Sequence, residues 1–239
     1  AVTTGTQNTL IGGLSGDAIT TASNNTAVGF ASLGANTTGT QNSSFGAFSL
    51  DANTTASNNT AFGYASLTAN TTGATNTAVG ANALDANTTA SSSVAVGHNA
   101  ATANTTGANN VAVGKDSLET NTTGAGNTAI GKDALQANTT ASNNTAVGLD
   151  ALTANTTGTA NTSLGSLSAK TMTTANSNTA IGFAALELTT TGANNTAVGS
   201  AALRANTEGT QNTAVGLQAL NANTTGIQNV AVGAESAEA

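Results

Sequence analysis

Asn144-Thr145-Ala146-Val147-Gly148-Leu149-Asp150-Ala151-Leu152-Thr153-Ala154-Asn155-Thr156-Thr157-Gly158 is the stretch on which the fold turns. Its outline, N-T-A-V-G-x-x-A-L-x-A-N-T-T-G, returns along the whole chain. The glycine closing each Asn-Thr-Ala-Val-Gly-like run falls at Gly12, Gly29, Gly46, Gly63, Gly80, Gly97 and Gly114. It continues at Gly131, Gly148, Gly165, Gly182, Gly199, Gly216 and Gly233, always 17 residues apart with no insertion or deletion. An unbroken period means that every unit fills the same volume. Helical repeats are longer, roughly 33 to 47 residues, and Asn, Thr and Gly are poor helix formers. The period therefore predicts an all-β fold, a parallel β-solenoid (β-roll) of about fourteen 17-residue coils. It forms a single repeat domain over residues 1–239, and each coil adds one strand spacing of roughly 4.8 Å.

Composition narrows the function. Charged residues are 6% of the 239 and aromatics 3%, against about 25% charged in an ordinary globular protein. The abundance of threonine and valine argues against a disordered chain. The net charge is −7, and Lys115, Lys132, Lys170 and Arg204 are the whole basic complement, so no basic stripe for nucleic acid can be assembled. Cysteine is absent, which excludes disulfides, thiol nucleophiles and zinc–thiolate sites. No apolar run approaches the ~20 residues of a membrane span, and the first residues do not read as a signal peptide. The chain reads as a soluble piece, either a mature form or a fragment, with no membrane insertion.

The columns of the repeat are read by strand parity. Two columns, the Thr or Val at Thr26 and the aliphatic at Val28, share parity and are assigned to the interior. The resulting ladder comprises Val28, Val79, Val96, Val113, Ile130, Val147, Ile181, Val198 and Val215, with Leu67, Leu118 and Leu152 filling the coil from the next side. The residue between them is Ala in eleven units. Strands disfavour alanine, so an outward column so uniformly small is assigned to a flat packed face. That proposed subunit face is Ala61, Ala78, Ala95, Ala112, Ala129, Ala146, Ala180, Ala197 and Ala214, and its expected partner is another copy of the chain. On this reading Ala129→Arg disrupts assembly while Gln136→Lys is neutral. Asn59, Asn110, Asn144 and Asn195 belong to a column expected to stack as an amide ladder, and a second Asn column runs from Asn36 to Asn223.

No motif for chemistry rises above background. His98 is the single histidine and reads as a surface residue. Asp17, Asp51, Asp85, Glu119 and Glu187 share a column but lie at least two coils apart, too far for a paired acid–base site. Neither catalysis nor a cofactor or metal site is expected. The Asn36-Thr37-Thr38 and Asn53-Thr54-Thr55 triplets match the N-glycosylation acceptor pattern. Outward threonine columns suggest ice binding, but adjacent threonines in a strand would face opposite sides and leave one outward column. The unit from Gly165 to Asn178, with Lys170 and Met172, departs most from the pattern and is read as drift.

The run N-T-A-V-G-x-x-A-L-x-A-N-T-T-G, at Asn76 to Ala90 and Asn144 to Gly158, resembles repeats of phage tail-fibre and bacterial tail-fibre-domain proteins. It is also similar to the head repeats of YadA-like trimeric autotransporter adhesins. The resemblance implies a left-handed parallel β-roll, three chains side by side in a homotrimer, serving in attachment. It places the protein outside the cell, at a cell surface or on a virion, with a cell-surface receptor or glycan as a further partner. The chain departs from the adhesins in its longer period and in lacking a heptad stalk, membrane anchor or terminal folding domain. Two rival readings are a monomeric ligand-binding β-solenoid, ice being the specific case, and an end-to-end stacking extracellular filament subunit.

Overall fold

Each repeat folds as one coil carrying one three-residue strand. A computed structural model describes residues 3–237 of the chain, which divide into two units, Ala1–Thr123 and Gly124–Ala239. The first unit holds β1 (Thr9–Ile11), β2 (Thr26–Val28), β3 (Ser43–Phe45), β4 (Thr60–Phe62), β5 (Thr77–Val79), β6 (Val94–Val96) and β7 (Val111–Val113). The second holds β8 (Thr128–Ile130), β9 (Thr145–Val147), β10 (Thr162–Leu164), β11 (Thr179–Ile181), β12 (Thr196–Val198), β13 (Thr213–Val215) and β14 (Val230–Val232). Within each unit, consecutive strands pair parallel and in register, so Val79 lies beside Val96 and Ile181 beside Val198. The expected all-β parallel solenoid of about fourteen coils is what the chain forms, and no helix occurs among the described residues.

Strand backbones alternate their hydrogen bonds between the two flanking coils, as a parallel ladder requires. Thr26 donates its N–H to Asn42 O at 2.9 Å, while Gly46 donates back to Val28 O at 2.8 Å. The rest of the coil is a chain of turns with its own inter-coil bonds, such as Leu33 N–H to Ser49 O at 2.9 Å. Turning this tightly needs left-handed backbone. Ala31, Leu33 and Gln41 have φ of 53°, 56° and 60°, and the marker Gly29 has φ of 140°. Leucine in that conformation is costly, of order 1 kcal/mol or more, and its burial offsets the cost.

The structure reverses the assigned parity. Alanine, not valine, faces inward. Ala61, Ala78, Ala95, Ala112, Ala129, Ala146, Ala197 and Ala214 are fully buried and Ala180 nearly so, so these residues are core and not a subunit face. Val28, Val79, Val113, Val147, Ile181 and Val198 are half-buried on the outer side, and Val96, Ile130 and Val215 are exposed there. They form a ladder in register, but an external one. The physical reason is room. Leu67, Leu118 and Leu152 point inward from the opposite side and are fully buried, leaving the strand only methyl-sized space inside a narrow coil. Where serine replaces alanine, a second serine in the same coil answers it. Ser44 pairs with Ser49 at 2.6 Å and donates to its carbonyl at 2.8 Å, and Ser163 pairs with Ser168 likewise.

The polar part of the core is hydrogen-bonded almost throughout. Asn42 accepts nothing less than its neighbour's backbone: its Oδ1 takes the Asn59 N–H at 3.0 Å, while its Nδ2 donates to Ala56 O at 2.9 Å. In the second ladder, Asn53 Nδ2 donates to Asn36 Oδ1 at 3.0 Å and to the same Ala56 carbonyl at 3.1 Å. Two amide columns thus clasp one corner carbonyl per coil, using both its lone pairs. The expected ladder is seen at Asn59, Asn144 and Asn195, whose Oδ1 atoms accept the next coil's backbone N–H at 2.9, 2.9 and 3.0 Å. Asn110 is buried as well, but its Nδ2 donates to Gly107 O at 3.0 Å.

One break in this network is informative. Met172 and Thr189 occupy consecutive places in the second asparagine ladder, and Asn155 Oδ1 is a buried acceptor with no partner among the described residues. Asn155 keeps only its donor bonds, to Asn138 Oδ1 at 2.9 Å and Gly158 O at 3.0 Å. Asn138→Ala removes an acceptor that is in use, whereas Asn155→Ala removes one that is idle. Denaturant melts should therefore show Asn138→Ala to be more destabilising by about 1–2 kcal/mol; equal losses would refute this account of the ladder.

Candidate functional site

Two long surfaces, rather than a pocket, are the candidates. The first is the outer face of the strand ladder. Its two columns are the Thr26 column and the Val28 column, and the turn beyond the glycine adds Phe30, Tyr64, Leu149, Phe183 and Leu217. These side chains are strongly exposed for their type; Phe62 is 57% and Tyr64 58% accessible. Aromatics concentrate over β2, β3 and β4, where Phe45 and Phe62 rings lie 5.6 Å apart and Phe48 meets Phe30 and Tyr64 edge-on at 5.4 and 6.0 Å. Within the strands this face carries no charged residue. A signal in the sequence marks it as exterior: the Val28 column varies from Val to Phe45 and Phe62 with no change of period, which a sealed core of fixed volume would not tolerate.

The second surface lies where the chain leaves the leucine side. It consists of the Ala35, Thr37 and Thr38 columns, which sit in turn and bend conformation rather than in a strand. The two threonines are therefore not forced to opposite sides. Thr37 is half-buried and Thr38 exposed. The Thr37 hydroxyl donates to Thr54 O in the next coil at 3.1 Å, and Thr54, Thr71 and Thr88 repeat the bond at 3.2, 3.0 and 3.1 Å.

The charged residues are dispersed along the chain, mostly in pairs, with one small cluster where Asp116 meets Lys115 and His98. Arg204 binds Glu187 at 2.6 Å, Lys170 binds Asp150 at 3.2 Å, and Lys115 binds Asp116 at 2.7 Å. His98 is exposed, 3.8 Å from the Asp116 carboxylate. The Lys115 hydrogen bond holds the Asp116 carboxyl below the usual carboxylate range, against the opposing effect of its burial. Gly34 opens a recess of about 280 Å³ between Asp17 and Asp51, and burial pushes the Asp51 carboxyl upward. No group of three or more metal-ligating side chains occurs among the described residues. The glycosylation-like triplets begin at Asn36 and Asn53, whose side chains are buried in the amide ladder, so the folded coil withholds them from modification.

No protein-family model matches the chain, and no curated protein or solved structure matches it either.

Proposed function

We propose that this chain is a structural segment of a surface-exposed fibre, of tail-fibre or adhesin-head type, built from three copies lying side by side and working outside the cell in attachment. The observation that carries this reading is the outer strand face. Monomeric proteins rarely expose contiguous apolar patches of more than a few hundred Å², and in one seven-strand unit the apolar Val28 column runs for roughly 29 Å beside the largely threonine Thr26 column. Its natural cover is the same face of another copy. Only a partner with the same coil rise keeps its ridges in step with the Val28 column over many coils, and closed symmetric assembly is the usual outcome of such self-matching.

The alanine columns have no part in this contact, being interior. The fibre's work is mechanical: stacked coils carry an attachment site away from a surface or offer many weak contacts along their length. A cell-surface receptor or glycan is the partner that role calls for, and the chain does it without catalysis or cofactor.

Light scattering after size exclusion tests the assembly. The expected mass is three times the 22.8 kDa of one chain. The double variant Val79→Lys/Val96→Lys should run as a folded monomer, because burying those charges in an interface costs several kcal/mol each while leaving the coil untouched. A wild-type monomer, or a variant still assembled, would refute the interface.

A further inference from the structure

We propose that the alanine–threonine–threonine surface binds ice, through an array of methyls and hydroxyls repeated once per coil. The fold accounts for one threonine column but not the other. Hydroxyls of the Thr37 column tie neighbouring coils together from Thr20 to Thr105 in the first unit and from Thr139 to Thr207 in the second. The Thr38 column is exposed at every coil, and its hydroxyls make no hydrogen bond to protein among the described residues. An exposed bend tolerates many residue types, and the exposed columns at Phe30 and Gln41 do vary freely. Yet the Thr38 column is threonine throughout, from Thr21 to Thr225, apart from Glu208. Recent duplication does not explain a uniform column beside variable ones.

The chemistry of the surface fits an ordered water lattice better than a soluble ligand. Its three columns are small except at Leu188, which is exposed in the Ala35 column, and uncharged except at Glu208, so over the remaining coils they hold no tightly bound hydration shell of their own. Charged side chains stand only along the rim formed by the Asp51 column. Alanine and threonine also lose little side-chain freedom on adsorption, and the Thr37 rotamer is fixed beforehand by its bond to the next coil, which removes part of the ordering cost. The repeat along the ladder is one strand spacing, about 4.8 Å, close to the oxygen repeat on faces of hexagonal ice. Weak contacts of this kind add up only over many identical steps, which each unit supplies. The surface uses different columns from the Val28 face, so assembly through that face leaves it open.

Thermal hysteresis of the intact chain on single ice crystals is the test. The expected result is a gap between melting and freezing points with faceted crystal growth. In Thr72→Lys/Thr89→Lys the gap should be lost while circular dichroism and melting temperature stay unchanged, since Glu208 shows that the coil accepts a charge in that column. Ala81→Lys, in the column that already holds Lys115 and Lys132, should retain the gap. Absence of hysteresis in the wild-type chain, or its survival in the double threonine variant, would overturn the proposal.

Discussion

Replacing Gly97 by alanine should unfold the coils around it at temperatures where the wild-type chain is intact. Gly97 has φ of +142°, and a Cβ placed there would lie 2.4 Å from Gly114 O and 2.7 Å from its carbonyl carbon. Two costs coincide. The backbone conformation is nearly closed to any residue with a side chain, at about 1–3 kcal/mol. The overlap is with backbone held by the Gly114 N–H to Val96 O bond at 2.8 Å, so it cannot be relieved by turning a rotamer, and overpacking of this kind costs about 1–3 kcal/mol more. The combined loss of roughly 2–6 kcal/mol is large for a solenoid, in which each coil is stabilised mainly by its neighbours. Hydrogen exchange should localise the opening to the coils flanking Gly97. Unchanged protection there would show that the ladder can widen to admit a methyl group, and the account of the glycine column would be wrong.

Ala95→Arg and Val96→Arg should behave as opposites although the residues are adjacent. Ala95 is fully buried, with Ala78 and Ala112 stacked directly beside it in register. An arginine there places an unpaired charge in a core with methyl-sized space, at a cost of about 3–5 kcal/mol. Val96 lies on the outer face and is 36% accessible; arginine at that position breaks assembly through that face but leaves the interior of the coil untouched, so the single coil-stack should lose no more than about 0.5 kcal/mol. Thermal melts of the two variants decide the matter in one experiment. If Ala95→Arg melted like the wild type and only its assembly changed, the alanine column would be a subunit face after all. The same reasoning changes what Ala129→Arg does: it should disrupt the coil itself, not merely the association of coils.

The valine and alanine columns also show where reading the sequence goes astray. Assigning the larger aliphatic residue to the interior is sound for most sheets, because burial gains grow with apolar area. It fails here because a 17-residue coil is so narrow that one leucine from the opposite side nearly fills it. Volume, not hydrophobicity, chooses the inward residue, and the tolerance of phenylalanine at Phe45 and Phe62 beside the constancy of alanine was the legible sign. Strand parity does not govern Thr37 and Thr38, because they sit at bends; Thr37 is half-buried with its hydroxyl tied to the next coil, and Thr38 is exposed.

By itself the sequence determined the architecture. A period of 17 held without a single insertion, glycine at every marker and asparagine in two recurring columns admit little but identical stacked coils, because each column must repeat the same backbone conformation and the same ladder bond. It also determined the scattering of charged groups, since residues two coils apart cannot be brought together by a fold of fixed rise. Only the tertiary structure decided which side of each strand is inside, because parity fixes which residues share a face but not which face meets the leucines. It likewise decided that the two amide columns converge on one corner carbonyl and that Asn155 is left without a donor. Those outcomes depend on how the turns between strands direct the chain across the coil; some left-handed residues that set those turns, such as Asn24, Asn58 and Asn143, are of a type that favours the conformation, but Ala31 and Leu33 are not.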